Sequence, residues 1–459
     1  MAEQQLVAKS SAFRSMSRAL AHRNYRLFFI GQGTSMIGTW MTRVATGWLV
    51  YRLGGPHSAL LLGIVGFVGQ APAFFLTPFA GVLVDRWNRH RLLVATQVLS
   101  LIQSALLAMV AFVAEPGADA IAQIIALSLF QGVINAFDMP CRQAFLVEMV
   151  TSKEDLPNAI ALNSSLVNAA RLVGPSIAGA LIALAGEGWC FTIDAVSYIA
   201  VIAALLAMRI VPSTASKSHV SIWRALRDGF DYAFGFAPVQ TLLLLLALVS
   251  FMGMPYSVLL PIFAADSLGG GPYVLGFLSA ATGIGALAGA LYMASRQTVL
   301  GLGRIIVLTT AVFGVGLIGF ALSRAIWLSL AMMVLTGFGM MVQMAASNTI
   351  LQTIVDEDKR GRVMSFYSMA FLGVTPFGSL FAGVLARFFG APFTVLIGGI
   401  ACIAGAIYFA LRLPSLRVLI RPIYMRMGII PMVASGMQSA SEPPSAIIEP
   451  PEEITSKAG

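Results

Sequence analysis

The sequence predicts an all-α polytopic membrane protein with 12 transmembrane helices in two pseudo-symmetric six-helix bundles. Three observations predict it. The 459 residues are 58% hydrophobic and only 11% charged, with a mean hydropathy of +0.84; a soluble chain carries about twice that charge fraction. The apolar residues come in continuous runs of about 20, the length of a helical span, rather than in the alternation of a β-barrel strand. Lys and Arg gather in every second loop.

In order, the runs place spans at 27–51, 59–84, 92–114, 120–145, 156–185 and 188–208 in the first half. The second half has 240–265, 272–295, 303–323, 326–354, 363–389 and 392–411. A polar, basic segment at 1–24 lacks an apolar core, so the first span is expected to act as the insertion signal. The first bundle then covers 25–209, a linker 210–237, the second bundle 238–412 and a tail 413–459. After Arg426 the tail turns Pro- and Glu-rich, a composition expected to stay disordered. In the linker, Ile222, Trp223, Leu226 and Phe230 share one helical face, with Arg224, Arg227, Asp228 and Asp231 opposite. Both a surface amphipathic helix and a plain linker with helical bias fit that pattern.

An even number of spans puts both termini on one side. That side holds 24 of the 29 Lys and Arg residues, the other side holds Arg52, Arg324 and Arg387, and Arg43 and Arg171 fall within spans. The positive-inside rule therefore places both termini in the cytoplasm. It also accounts for the net charge of +9 without nucleic acid, and the expected large partner is the lipid bilayer. The halves echo each other: 179–186, closing span 5, matches 383–390, closing span 11, at an offset of 204. Spans 6 and 12 both end towards a proline, Pro212 and Pro414. Two such halves around a central path are a common transporter plan.

A charge at bilayer depth costs about 2.5–3.5 kcal/mol on insertion scales, so Arg43, Asp138, Arg171 and Asp194 each need a reason. Asp138 and Arg142 lie one turn apart on span 4, and Gln131 and Asn135 extend their face. Ser164, Asn168 and Arg171 form a second polar stripe on span 5, and Gln32, Ser35, Thr39, Arg43 and Thr46 a third on span 1. Polar stripes on several spans mark helices that line a hydrated path. The expected substrate path is accordingly Gln32, Thr39, Arg43, Gln131, Asn135, Asn168 and Arg171.

Three roles stay open for Asp138–Arg142: helix glue, favoured by its place near the helix end, a conformation-sensitive ion pair, and substrate contact. Arg171 has no carboxylate one turn away. It is expected to meet an anionic substrate group or a carboxylate from another helix. Asp194 is either a protonation site or an ordinary helix-start carboxylate. Gly174, Pro175 and Gly179 predict a kink and close packing in span 5. Cys141, Cys190 and Cys402 lack metal-ligand spacing, and the four histidines, His22, His57, His90 and His219, fall in polar segments. With no P-loop and no triad-like constellation either, no metal, cofactor or enzymatic activity is expected.

Residues 81–91, Gly-Val-Leu-Val-Asp-Arg-Trp-Asn-Arg-His-Arg, make a tight polar loop between spans 2 and 3. Gly81 is expected to let two helices approach closely. Asp85 is expected to pair with a basic side chain or a helix N-terminus in one conformation only. Gly81, Asp85, Arg86 and Arg89 resemble the corresponding loop motif of the major facilitator superfamily. Asn88 stands where glycine is usual and His90 where a basic residue is usual. Asn88 is expected to tolerate the left-handed turn.

Gly174-Pro175 with Gly179 resembles the Gly-Pro-x-x-Gly-Gly motif of the superfamily's antiporters, with Ala178 and Ala170 replacing two glycines. Ser128 takes the place of an arginine carried by many proton-coupled members. Together with 137–143, 156–164 and 360–365, these residues look like the transmembrane secretion effector branch, which includes the enterobactin exporter of enteric bacteria. The similarity covers roughly 13–416. It implies a monomeric exporter of a siderophore- or drug-like small molecule in the bacterial inner membrane. Protons are the implied coupling ion, access alternates, and Gly81, Asp85, Arg86 and Arg89 form the cytoplasmic gate. Uptake or facilitated diffusion of a metabolite, and lysolipid flipping, are the alternatives.

Overall fold

The computed structural model describes residues 18–113, 115, 117–150, 152–209, 230–296 and 298–429, apart from the side chains of Pro78, Val82, Asp85, Lys153 and Asp358. All regular structure in them is helical. The first half comprises α1 (Arg23–Gly54), α2 (Ser58–Val68), α3 (Ala71–Arg86), α4 (Arg89–Val113), α5 (Ala118–Met149), α6 (Leu156–Ala185) and α7 (Glu187–Leu206). The second comprises α8 (Ala237–Leu248), α9 (Tyr256–Ile262), α10 (Pro272–Ala294), α11 (Leu302–Leu322), α12 (Ile326–Ile354), α13 (Glu357–Ser368), α14 (Thr375–Phe389) and α15 (Ala391–Arg426).

Among the described residues, 11 stretches are long and apolar enough to cross a membrane. The first, Arg23–Thr77, has 55 residues. As one helix it would run about 80 Å, against a hydrocarbon core of about 30 Å. It turns back at Gly55, whose φ of 49° suits glycine, and so makes two spans, for 12 in all.

Three spans are broken helices. Span 2 breaks between α2 and α3 at Gly69–Gln70, just before Pro72. Span 7 joins α8 and α9 through a π turn at Val249–Gly253, followed by Pro255, and ends in another at Phe263–Ser267, two residues after Pro261. Span 11 joins α13 and α14 through Met369–Gly373, with Pro376 next. A proline lacks the N–H that would continue the ladder, so the bonds of the adjoining turn regroup.

α1 packs on α6 and α7, α4 on α5 and α7, and α3 on α5; in the second half α12 packs on α10 and α11. The halves meet where α6 crosses α10 and α2 crosses α14. Both crossings are made at glycine. A Cβ on Gly179 would stand 2.8 Å from the Gly276 Cα, and one on Gly63 would stand 2.7 Å from the Gly383 Cα. Both lie towards the end of the molecule that carries the Gly55 turn, where Tyr51 Oη of α1 also donates to Asp266 of the second half.

The opposite end carries the Asn88 loop. There Tyr25, Phe28, Leu93, Phe145 and Leu205 form an apolar cluster, rimmed by Tyr25 Oη donating to the Ala159 carbonyl at 2.8 Å and Asn24 Nδ2 to the Arg209 carbonyl at 2.8 Å.

The internal repeat is visible in the backbone. Gly186 and Gly390, 204 residues apart, end α6 and α14 with φ, ψ of 90°, 169° and 84°, 157°.

Two expectations need correcting. Among the described residues no non-glycine residue has positive φ, so Asn88 does not form a left-handed turn. Instead its Oδ1 accepts from the Arg91 N–H at 3.0 Å and caps α4. A Cβ on Gly81 would meet nothing within 4 Å, so the close helix approach is absent there. α15 continues through Pro414 and Pro422 to Arg426: each proline removes one ladder bond, and the helix-favouring Leu and Arg residues between them carry the helix on.

The chain divides into two compact units, Met1–Leu413 and Pro414–Gly459. Residues 221–229 of the expected linker helix and 430–459 of the tail lie outside the described residues.

Candidate functional site

The charged residues within the spans form two separate groups. The first is built on Trp40 of α1. A Cβ on Gly174 would stand 2.6 Å from the Trp40 Cβ and 2.9 Å from the Ile37 carbonyl oxygen. The bare glycine beside Pro175 therefore lets α6 close onto α1 at the indole. The Arg43 guanidinium lies 4.9 Å from the Trp40 ring centroid and that of Arg171, from α6, 5.2 Å. Tyr256, buried in the second half, is close enough to Arg171 to feel its charge.

Among the described residues, neither guanidinium has an ion-pair partner, and Arg171 Nε is buried without a hydrogen-bond acceptor. Arg43 lies in the middle of α1 and its side chain is exposed.

Magnitudes say what this group lacks. A cation–π contact contributes about 0.5–2 kcal/mol, less than the cost of one charge at depth. The two guanidinium carbons are at most ~10 Å apart, the sum of their distances to one ring centroid. At an effective dielectric of ~20 their repulsion is then about 1.7 kcal/mol or more. An anion between them reverses the sign of that balance.

The second group surrounds two carboxylates in the first half. Asp138 is 5% exposed. Its Oδ1 accepts from Thr96 Oγ1 at 2.9 Å and Gln97 Nε2 at 2.6 Å, and its Oδ2 accepts from Arg142. Asp194, on α7, is 1% exposed. Its Oδ2 accepts from Thr42 Oγ1 of α1 and Ser104 Oγ of α4, each at 2.8 Å. Its Oδ1 is buried without a donor, and no cation lies within ion-pair distance among the described residues. Unlike Asp138, Asp194 is held by hydroxyls alone.

The expected substrate path divides accordingly. Arg43 and Arg171 come together, with Asn168 one turn from Arg171 and its Nδ2 on the Ser164 carbonyl at 2.9 Å. Gln131 Nε2 instead bonds Asn135 Oδ1 at 3.1 Å and Ser100 Oγ of α4 at 3.4 Å. Thr39 Oγ1 donates to the Ser35 carbonyl and lies 3.5 Å from Tyr198 Oη of α7; Gln32 is buried. These four therefore do not share the Trp40 group's contacts.

In the loop, Arg86 is exposed, and Arg89 Nη1 bonds Glu148 Oε1 of α5 at 2.6 Å, within the same half. His90 Nε2 lies 2.8 Å from the Leu205 carbonyl oxygen. The side chain of Asp85 is outside the described residues.

Sequence reasoning missed Trp40, Tyr256, Glu148 and the polar row of α4. Only the last has a legible signal, its helical spacing. Among the described residues no three His, Cys, Asp or Glu side chains gather as metal ligands.

Comparison with known proteins agrees with this architecture. The profile described as transmembrane secretion effector matches residues 15–422. The staphyloferrin A transporter of Staphylococcus aureus is 27% identical over 399 residues, 84% of this chain and 96% of that one. The multidrug efflux pump Tap of Mycolicibacterium fortuitum is 28% identical over 380 residues, 79% of this chain and 89% of that one. A bacterial homologue of the iron transporter ferroportin, solved in an inward-facing state, superposes with a TM-score of 0.68 at 16% identity, covering 84% of this chain and 98% of that one. With 12 spans, broken helices at the crossings of two halves and a profile match along nearly its whole length, the chain is a membrane transporter, not an enzyme. It belongs to the transmembrane secretion effector family of the major facilitator superfamily.

Proposed function

We propose that this protein is a secondary active exporter that moves an anionic small organic molecule out of the cytoplasm of a bacterial cell. It sits as a monomer in the inner membrane with both termini and the Asn88 loop inside. One observation carries the reading: two arginines share one indole at bilayer depth, with no carboxylate paired to either among the described residues. The cargo's carboxylate, catecholate or comparable anionic group fills the place between them, and the Trp40 face receives its apolar part. The relative named as a multidrug efflux pump supports outward movement, and the one named as a staphyloferrin A transporter supports an organic cargo.

Transport proceeds by alternating access. The contacts of α6 with α10 and of α2 with α14 close the Gly55 end, and this arrangement loads cargo from the cytoplasm. Proton uptake from outside drives the cycle, with Asp194 and the Asp138–Arg142 pair as the coupling groups. The Asp85, Arg86 and Arg89 loop steadies the inner mouth.

Everted membrane vesicles with an acidified lumen test the reading. Offered a panel of carboxylate- and catecholate-bearing compounds beside neutral ones, wild-type vesicles should accumulate anionic members. Arg171→Ala and Arg43→Ala should lower that accumulation about tenfold or more, the loss of one charge-assisted contact of 1.5–3 kcal/mol. Arg171→Lys should retain part of it. Undiminished accumulation by Arg171→Ala removes the clamp from the cargo path.

A further inference from the structure

Five polar residues of α4 remain without a role in cargo binding: Thr96, Gln97, Ser100, Gln103 and Ser104. Their spacing, 96/97, 100 and 103/104, sets them on one helical face over about 12 Å of rise. All are 3% exposed or less. In an apolar bundle such groups are costly unless each finds a partner.

Their partners form a line. At the Asn88 end Thr96 and Gln97 donate to Asp138. In the middle Ser100 Oγ accepts from Gln131 Nε2 at 3.4 Å, and Gln131 also reaches Asn135. Towards the Gly55 end Ser104 Oγ lies 3.4 Å from Gln103 Oε1 and donates to Asp194 Oδ2. Three acceptor oxygens along this line, Gln97 Oε1, Gln131 Oε1 and Asp194 Oδ1, are buried without a donor. Each calls for a hydrogen, from water at the amides and from water or an acid proton at the carboxyl.

We propose that Asp194 is a proton-binding site separate from the Arg43–Arg171 clamp, and that the polar face of α4 is the route joining it to Asp138. This deepens the antiport reading and rests on it. In the loading step a hydronium ion gives its proton to Asp194 Oδ1: one O–H bond of hydronium breaks, one forms on the carboxyl, and neutral acid and water remain. In the release step that acid O–H breaks. The proton passes along water held by Gln97, Ser100 and Gln131 to Asp138, and from there to bulk water at the Asn88 end. Ser104 and Thr96 hydroxyls can each accept one proton and give another, and the amides hold the water between.

The surroundings of Asp194 suit a group that changes charge. α1 presents Gly38 and Thr42 to it. α4 presents Ser104 and has no ionisable residue beyond Arg91. Its own helix carries Cys190, Tyr198 and Glu187, and the last is tied to Arg52 at 2.9 Å. Arg43 of α1 and Arg171 of α6 are turned to Trp40.

α1 joins the two sites physically. Gly38 and Thr42, one turn apart, face Asp194; Trp40 and Arg43, three apart, face the cargo path. A Cβ on Gly38 would stand 2.6 Å from Asp194 Oδ1, so the proton arrives where α1 closes on the acid. There an acceptor becomes a donor, and the seat of α1 changes with it.

The test uses the full chain in liposomes and records infrared difference spectra between acidic and alkaline buffer. Wild type should show the band of a protonated carboxylic acid. Asp194→Asn should lose it, Asp194→Glu should keep one, and Ser104→Ala should shift its position. Ser100→Ala and Gln131→Leu should keep the band but slow its hydrogen–deuterium exchange about tenfold, the loss of one relay hydrogen bond. A band unchanged in Asp194→Asn overturns the site, and exchange unchanged in both Ser100→Ala and Gln131→Leu overturns the route. Neither result touches the anion clamp, which stands or falls on Arg171→Ala.

Discussion

Gly174 decides where Trp40 stands, and Trp40 decides where two charges stand. Adding one methyl group puts a Cβ 2.6 Å from the Trp40 Cβ, which carries the indole, and 2.9 Å from the Ile37 carbonyl oxygen. Neither atom is the free end of a flexible side chain. Gly174→Ala should therefore destabilise the protein by about 1–3 kcal/mol and lower export by displacing the indole, measured by thermal unfolding and vesicle transport together. Gly81→Ala is the control: its Cβ meets nothing within 4 Å, so its unfolding temperature should stay put. Arg43 and Arg171 were legible in the sequence because a guanidinium in an apolar run has no ordinary explanation. Trp40 was not, because an aromatic residue in a span is unremarkable until two cations are seen against it. The open surroundings of Gly81, inside α3, were not legible because a glycine shows its packing role only against a partner helix. Gln131 and Asn135 read from the sequence as one stripe with Asp138, but helical spacing cannot say which neighbour a stripe faces.

Helices were read better than their breaks. Hydropathy located every span, since the bilayer fixes both length and composition. Pro255, Pro261 and Pro376 were visible, but whether a proline kinks, ends or reorganises a helix depends on what packs around it. Pro414 shows this, read as an end and found inside α15. The α2–α14 crossing offers a test at this scale. A Cβ on Gly63 would stand 2.8 Å from the Ser379 carbonyl oxygen as well as 2.7 Å from the Gly383 Cα. Gly63→Val should force these helices apart. A cysteine at Ser379, buried in the closed crossing, should then react faster with a thiol reagent applied from the Gly55 side. The gain should be about tenfold for each ~1.4 kcal/mol by which closure is weakened. An unchanged labelling rate would mean that the crossing does not hold that end shut.

For the molecule as a whole, the distribution of positive charge makes a sharp claim about sidedness. Arg86, exposed in the Asn88 loop, should as Arg86→Cys resist a membrane-impermeant thiol reagent in intact cells and react after the cells are broken. Reaction in intact cells would turn the transporter over and reverse the direction assigned to it. The duplication was also legible, and for a physical reason. A glycine that ends a helix with φ near 90° tolerates almost no replacement, so Gly186 and Gly390 keep their register 204 residues apart.

The same duplication has a consequence for the doorway at the Gly55 end. Gly179 and Gly383 occupy matching places in the repeat, and each meets a glycine of the opposite half. The two seams are thus copies of one hinge plate, formed by bare backbone rather than by charge. Ionic strength should leave both shut, and a bulky residue in either one should prop the door ajar for the whole molecule.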